Sequence, residues 1–149
     1  MKYKLTKNKK EIFKTTLYQI QALKDFSNVK KGELGGWIEK EKNLSQDGDC
    51  WIYGNTSISK NAWVYGNARV FENAQVYGNA RVYEDACICG DVRIYGDASI
   101  YGNARVFGNA WVFGNASVSG NASIYGNACI CGDVRIYGDA NVSGNARIS

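Results

Sequence analysis

A six-residue repeat runs in unbroken register from Cys50 to Ser149, and it constrains the fold more than any other feature of the chain. Residues 104–109, Ala-Arg-Val-Phe-Gly-Asn, form a typical unit. The third position is Ile or Val in all seventeen occurrences, and the first is Ala in thirteen of seventeen. Because strand residues alternate between two sides, these two positions point together into a narrow interior, and the second position points outward.

One short strand and one turn cannot bury an apolar side, whereas three units close a triangular coil that stacks on the next coil. The repeat therefore predicts an all-β fold, a single-stranded parallel β-helix with three hexapeptide repeats per coil, over residues 50–149. The sixth position is Asn or Asp in all sixteen units. We expect these side chains to stack as amide ladders. Since Lys60, Glu72 and Glu84 replace Gly at the fifth position, the Asn/Asp position is predicted to carry the left-handed backbone conformation.

The N-terminal segment, residues 1–49, does not follow the repeat. Its stretches KYKLT, KEIFKTTLYQIQAL and GGWIEKE have strand-like apolar patterns separated by Lys-Asn and Lys-Lys-Gly turns. A solenoid needs a cap over its first open coil, so the segment is predicted to form an antiparallel β cap. The repeat ends in mid-unit at Ser149 without a comparable cap. This leads us to expect that another copy of the chain covers that end.

Two sequence elements lie where the cap meets the repeats. The patterns DF-x-x-V-K-x-G-x-x-GGW-I and NLS-x-x-GDCW-I-Y, within residues 22–55, resemble those of the YdcK-like hexapeptide-repeat proteins. The YGNA repeats are similar also to small phage and prophage proteins. The resemblance implies a left-handed β-helix, a handedness that the period alone does not determine. It also suggests an alternative function, a phage- or prophage-encoded inhibitor that binds a host protein or a small nucleotide-like ligand.

Charge and composition argue against several function classes. Residues 1–49 hold eleven Lys and seven acidic residues, and residues 50–149 hold seven basic and seven acidic ones, so the repeats carry no net charge and nucleic-acid binding is not expected. The sequence has no apolar run long enough to span a membrane and no signal-peptide pattern, so a membrane location is not expected. Five Cys without a secretion signal predict free thiols in a reducing cytoplasm.

The chain contains no His. Hexapeptide acyltransferases resemble one another in using a His as general base, and the related carbonic anhydrases bind zinc through three His. We therefore predict no enzyme activity, no catalytic residue, no metal and no cofactor, with a degenerate acyltransferase-like protein as a second alternative. The pairs Cys87/Cys89 and Cys129/Cys131 are separated by two coils plus one unit and are expected on different faces. They are predicted to be small packing residues, and a metal bridging two chains remains an alternative.

Three Trp residues occupy the outward second position and are predicted to point into solvent. An exposed Trp beside other apolar groups is typical of an interface. The sequence therefore predicts a non-catalytic binding or assembly protein that forms a homodimer or homotrimer. The favoured contact is a patch of Trp111, Phe113, Cys129 and Cys131. Further candidates are Trp51, Trp63, Arg69, Arg81 and Arg93.

Overall fold

A computed structural model describes residues 1–149, with three longer strands at the N-terminus followed by seventeen two-residue strands. One 3-10 turn, Glu41–Asn43, lies between the two groups. The strands are β1 (Tyr3–Ile12), β2 (Thr15–Ala22), β3 (Leu34–Ile38), β4 (Trp51–Ile52), β5 (Ser57–Ile58), β6 (Trp63–Val64), β7 (Arg69–Val70), β8 (Gln75–Val76), β9 (Arg81–Val82), β10 (Cys87–Ile88), β11 (Arg93–Ile94), β12 (Ser99–Ile100), β13 (Arg105–Val106), β14 (Trp111–Val112), β15 (Ser117–Val118), β16 (Ser123–Ile124), β17 (Cys129–Ile130), β18 (Arg135–Ile136), β19 (Asn141–Val142) and β20 (Arg147–Ile148).

The repeats form a parallel β-solenoid in which each coil contains three repeat units. Each short strand pairs in parallel with the strand three units further on, as Cys87 does with Arg105. The strands fall into three sheets. We call them face 1 (β5, β8, β11, β14, β17, β20, extended by β3, β2 and β1), face 2 (β4, β7, β10, β13, β16, β19) and face 3 (β6, β9, β12, β15, β18). The predicted three-unit coil is confirmed.

The core is a column of small and β-branched side chains. Ala104 and Val106 are fully buried, whereas Arg105 between them is exposed. The same alternation holds along the solenoid, and the buried Ala, Ile and Val side chains join those of the cap in one hydrophobic cluster. The predicted orientation of the first and third positions is confirmed. No helix of the chain is long and apolar enough to cross a bilayer.

The left-handed residue of each turn is at the fifth position, so its predicted place at Asn or Asp was wrong. Thirteen units have Gly there in the left-handed region, and the other three use Lys60 (φ 58°), Glu72 (φ 65°) and Glu84 (φ 56°). The Asn and Asp side chains serve a different purpose. They hydrogen-bond from coil to coil, for example Asn109 Nδ2 to Asn127 Oδ1 at 3.3 Å, which confirms the predicted ladders.

The cap begins with an antiparallel hairpin whose reversal lies at a place that the sequence did not indicate. β1 runs straight through the predicted Lys-Asn turn, where the pairing with β2 shifts register between Leu5 and Lys9. The chain reverses instead at Phe13 (φ 49°) and Lys14 (φ 67°). Two positive φ values fit a two-residue hairpin turn, but Asn-Gly is its usual sequence, so Phe-Lys carries no turn signal. The predicted turn at residues 30–32 is present, with Gly32 at φ 91°.

The cap is anchored to the solenoid by buried polar side chains. Lys2 is buried, and its Nζ donates to the carbonyl oxygens of Cys50 at 2.8 Å and Gly48 at 3.2 Å. The Tyr3 hydroxyl donates to the Leu44 carbonyl at 2.6 Å. β3 pairs antiparallel with β2 and parallel with β5, so the strand order continues from the hairpin into face 1. A buried ammonium that donates to several carbonyls fixes the cap in one orientation.

Tyr3 is expected to make stability fall at alkaline pH. Burial, together with the charge of Glu41, raises the pKa of the Tyr3 phenol far above its usual value. The unfolded chain ionises this group near pH 10 while the native state still holds the proton, so its contribution is complete below about pH 10 and is lost as pH rises further. Tyr3→Phe should abolish this loss of stability at alkaline pH. At neutral pH the same substitution should lower the free energy of unfolding by about 1 kcal/mol, because the Leu44 carbonyl loses its donor.

Urea unfolding at neutral pH and at about pH 11 measures how much the free energy of unfolding falls between the two pH values. Tyr137→Phe is the matched control, because Tyr137 is 69% exposed. If the free energy of unfolding fell equally in wild type and Tyr3→Phe at alkaline pH, the loss could not be assigned to the Tyr3 phenol.

Candidate binding surface

An apolar outward stretch of the solenoid lies on face 1 and is centred on Trp111. Trp111 pairs with Arg93 on one side and with Cys129 on the other, and Phe113 and Cys131 follow on the same two coils. Trp111 is 41% exposed, and Phe113, Cys129 and Cys131 are half-buried. We call Tyr95 together with these four residues the Trp111 patch. The structure thus brings together the four residues that the sequence grouped.

Aromatic contacts hold the Trp111 patch rigid. The Tyr95 and Phe113 rings stack with centroids 4.7 Å apart, and the Trp111 ring meets Tyr95 edge-on at 6.4 Å. On the preceding coil, the Tyr77 ring stacks on Tyr95 at 4.9 Å. The Arg93 guanidinium lies over the Trp111 ring, 5.1 Å from its centroid, as in a cation–π contact. Side chains packed in this way lose little further conformational entropy when a partner covers them.

The thiols extend the patch as apolar groups. Burial raises the pKa of the Cys129 thiol, and the neighbouring Cys131 raises it further. A thiol with a raised pKa stays protonated at neutral pH and packs as a small hydrophobic group with low reactivity. The raised pKa of Cys129 therefore fits a packing role better than a nucleophilic one.

The repeat around this surface matches a known repeat class. The sequence profile of the YdcK β-solenoid repeat matches residues 74–90 and 98–114, which include Trp111 and Phe113. These two stretches are therefore similar to the YdcK β-solenoid repeat. A 43-residue stretch, 29% of the chain, is 49% identical to a protein of Escherichia coli (strain K12) named uncharacterized acetyltransferase YdcK. The chain spans about an eighth of that relative's length, 13%.

On face 3 of the solenoid, Trp63 is also 41% exposed and pairs with Arg81 on the next coil. Its ring stacks on Tyr65 with centroids 3.9 Å apart, and the ladder continues through Tyr83 and Tyr101. A cavity of about 440 Å³ separates Trp63 from residues 40–46 of the cap. Trp63 therefore sits at the junction with the cap, at one end of an aromatic ladder and beside a charged neighbour.

Trp51 is fully buried, so its predicted exposure was wrong. It points outward from face 2, next to Arg69, but the cap covers it. Tyr3 and Phe26 contact its ring edge-on at 6.3 and 5.3 Å. Its indole N–H is buried without a hydrogen-bond partner. Trp51 belongs to the junction between cap and solenoid and cannot meet a second molecule.

Face 2 of the solenoid carries the other Cys pair in a shallow groove of about 920 Å³. Cys87 lies between Arg69 and Arg105 on the adjoining coils. Burial raises the pKa of the Cys87 thiol, and the two arginines oppose that shift. The two Cys pairs lie on different faces, as predicted. No group of three or more His, Cys, Asp or Glu side chains is placed to hold a metal ion.

One cleft was not predicted from the sequence, because it depends on where the hairpin lies. The β1–β2 hairpin overhangs face 1 and encloses a space of about 210 Å³. Of the predicted site residues, Arg93 alone lines it. The other lining residues are Ile12, Phe13, Thr15, Leu17, Ser57, Ser59, Lys60, Gln75 and Tyr77. No sequence signal marked this cleft, because Phe13 and Lys14 do not have the sequence of a hairpin turn.

Proposed function

We propose that the protein is a non-catalytic binding protein that self-associates as a homodimer through the Trp111 patch. The observation that supports this proposal most is the 41% exposure of Trp111 inside a continuous group of aromatic and thiol side chains. Contiguous apolar surface of this kind is typical of protein–protein contacts, and Trp is enriched among the residues that dominate binding energy.

The exposed outer side of face 1 supports the proposal that a second copy of the chain packs on it. The outer side of face 1 is uncovered at β14 and β17, where Trp111 is exposed and Cys129 is half-buried. Face 1 repeats in steps of one strand, so its outward side chains form regular rows that a second copy can match. A two-fold contact uses the same patch on both copies, which suits a surface that is apolar at its centre.

Charge placement supports a two-fold axis near Trp111. The outward column on face 1 runs Arg93, Trp111, Cys129, Arg147 along successive coils. Rotation about an axis through Trp111 sets Arg93 of one copy opposite Cys129 of the other. An axis between Trp111 and Cys129 would instead oppose Arg93 and Arg147, which is repulsive. The first arrangement buries the indole rings against each other and keeps the arginines apart.

Light scattering coupled to size exclusion tests the contact. We expect wild type at about twice the chain mass of 16.4 kDa and Trp111→Glu at the monomer mass. An unpaired carboxylate at the centre of a dry contact costs at least about 2 kcal/mol of association free energy. Trp63→Glu is the matched control, since Trp63 has the same 41% exposure on another face. A monomeric wild type contradicts the proposal, and an unchanged mass in Trp111→Glu places the contact elsewhere.

Acetyl transfer is the second candidate, because the E. coli relative is named an acetyltransferase. The chain offers no imidazole base, since it has no His. Its carboxylates in the repeats lie at turns, at Glu72, Glu84 and the Asp ladder positions. Release of free thiol from acetyl-CoA by the purified chain, with amine or hydroxyl acceptors, separates the candidates. Turnover would replace the non-catalytic proposal.

A further inference from the structure

The hairpin cleft has an aromatic floor with one position left empty. The fourth position of the face 1 units forms a column that runs Ser59, Tyr77, Tyr95 and Phe113 on successive coils. Tyr77, Tyr95 and Phe113 stack with ring planes within 3° of parallel. Ser59 stands where the next ring would lie, and both Ser59 and Tyr77 line the cleft. One side of the Tyr77 ring therefore faces Tyr95, and the other faces an open slot above Ser59.

The slot has the dimensions of a flat ring. Neighbouring coils are about 4.8 Å apart, close to the 4.9 Å between the Tyr77 and Tyr95 centroids. A planar molecule at the level of Ser59 would thus continue the ladder at the spacing that the protein already uses. The cleft volume of about 210 Å³ accepts a single or fused aromatic ring, and a larger substituent would extend out of the cleft.

Two cationic side chains line the same cleft, and their contacts are with neutral groups. The Lys60 Nζ donates to the Thr15 hydroxyl at 2.9 Å, and the Arg93 guanidinium lies over the Trp111 ring. Lys60 follows Ser59 in the chain, and Arg93 lies two coils from Ser57 on the same face. Lysine and arginine side chains that line one cleft are suited to the oxygens of a phosphate or carboxylate.

Phe13 lies at the rim of the cleft in a strained backbone conformation. It is 91% exposed and has a φ of 49°, which bulky residues rarely adopt. The turn joins β1 to β2, but the exposed Phe13 ring itself packs against little of the fold. At the mouth of the slot, the Phe13 ring can cover the outer side of a ring that stacks on Tyr77.

We propose that the hairpin cleft binds a planar aromatic anion, with its ring stacked on Tyr77 above Ser59 and its acidic group held by Lys60 and Arg93. Two sources share this chemistry, nucleoside monophosphates and aromatic carboxylates. The inference does not rest on self-association, because the slot is built within one chain.

Titration calorimetry of the full chain with the four nucleoside monophosphates and with benzoate distinguishes the two sources. Adenosine, which has the ring without the phosphate, and inorganic phosphate, which has the anion without the ring, are the partial ligands. We expect either a nucleoside monophosphate or benzoate to bind at least about tenfold more tightly than adenosine or inorganic phosphate, because ring stacking and charge each contribute. The absence of binding to every nucleotide and to benzoate at millimolar concentration overturns the proposal.

Ser59→Tyr is the decisive variant, because the protein's own ring then fills the slot and completes the ladder. We expect ligand affinity to fall at least about tenfold without a lower melting temperature. Ser119→Tyr is the matched control, since Ser119 follows Tyr101 in the face 3 ladder, away from the cleft. Unchanged affinity in Ser59→Tyr contradicts the proposal.

If Ser59→Tyr fails to fold, Tyr77→Leu gives the same answer, because it removes the stacking ring and keeps an apolar side chain. Arg93→Gln tests the acidic group, with Arg81→Gln on face 3 as its control. Light scattering of each variant keeps the two proposals separate, since Ser59→Tyr should lose ligand and keep the wild-type mass. Equal affinities in wild type, Tyr77→Leu and Arg93→Gln would overturn this site and leave the dimer proposal untouched.

Discussion

Trp51→Ala is expected to lower the free energy of unfolding by about 3–5 kcal/mol, the range for removing a large buried aromatic side chain. Trp51 is fully buried between the first coil and the cap, with Tyr3 and Phe26 against its ring edges. A Cβ on Gly35 would lie 2.7 Å from the Trp51 ring, so the cap strand approaches the indole as closely as glycine allows. Removing the indole leaves a cavity that the paired strands cannot collapse to fill.

Urea unfolding followed by circular dichroism measures this loss, with Trp63→Ala as the matched control. Trp63 is 41% exposed, so its truncation should cost under about 1 kcal/mol. Trp51→Phe should cost less than Trp51→Ala, because it keeps a ring and removes the indole N–H that lacks a partner. Similar losses in Trp51→Ala and Trp63→Ala would contradict the buried position of Trp51.

Gly114→Ala is expected to cost about 2–5 kcal/mol, because it combines two penalties. Gly114 has a φ of 70°, and a side chain in the left-handed region costs about 1–2 kcal/mol. Its Cβ would also lie 2.7 Å from the Gly132 backbone nitrogen on the next coil. Backbone held in a stacked coil cannot yield as a flexible side chain would, so overpacking adds about 1–3 kcal/mol.

Gly138→Ala separates the two penalties. Gly138 has nearly the same φ, 65°, but a Cβ there would meet no atom within 4 Å. Its substitution should therefore cost about 1–2 kcal/mol, the penalty for conformation alone. Thermal melts of the two variants give the difference between them. Equal melting temperatures would show that the coils can part without loss, which contradicts close stacking.

The hairpin illustrates how much of the binding surface depends on tertiary structure. The Trp111 patch could be predicted, because a strict period of six places residues 111 and 129 on neighbouring coils whatever else the chain does. The cleft beside it could not. It depends on the overhang of β1 and β2, and the overhang depends on a turn at Phe13 and Lys14 that has no glycine or asparagine to mark it.

The solenoid follows from the repeat alone. Local units with one apolar pair and one turn have a single way to bury that pair, so the columns of Ala104 and Val106 and the Asn ladders could be read from the period. Which outward residues meet water depends instead on how the cap folds over the first coil. Trp51 and Trp111 occupy the same position of the unit, yet the cap buries the first and leaves the second exposed. Exposure is a property of what lies over a side chain, and the cap that lies over Trp51 is outside the repeat.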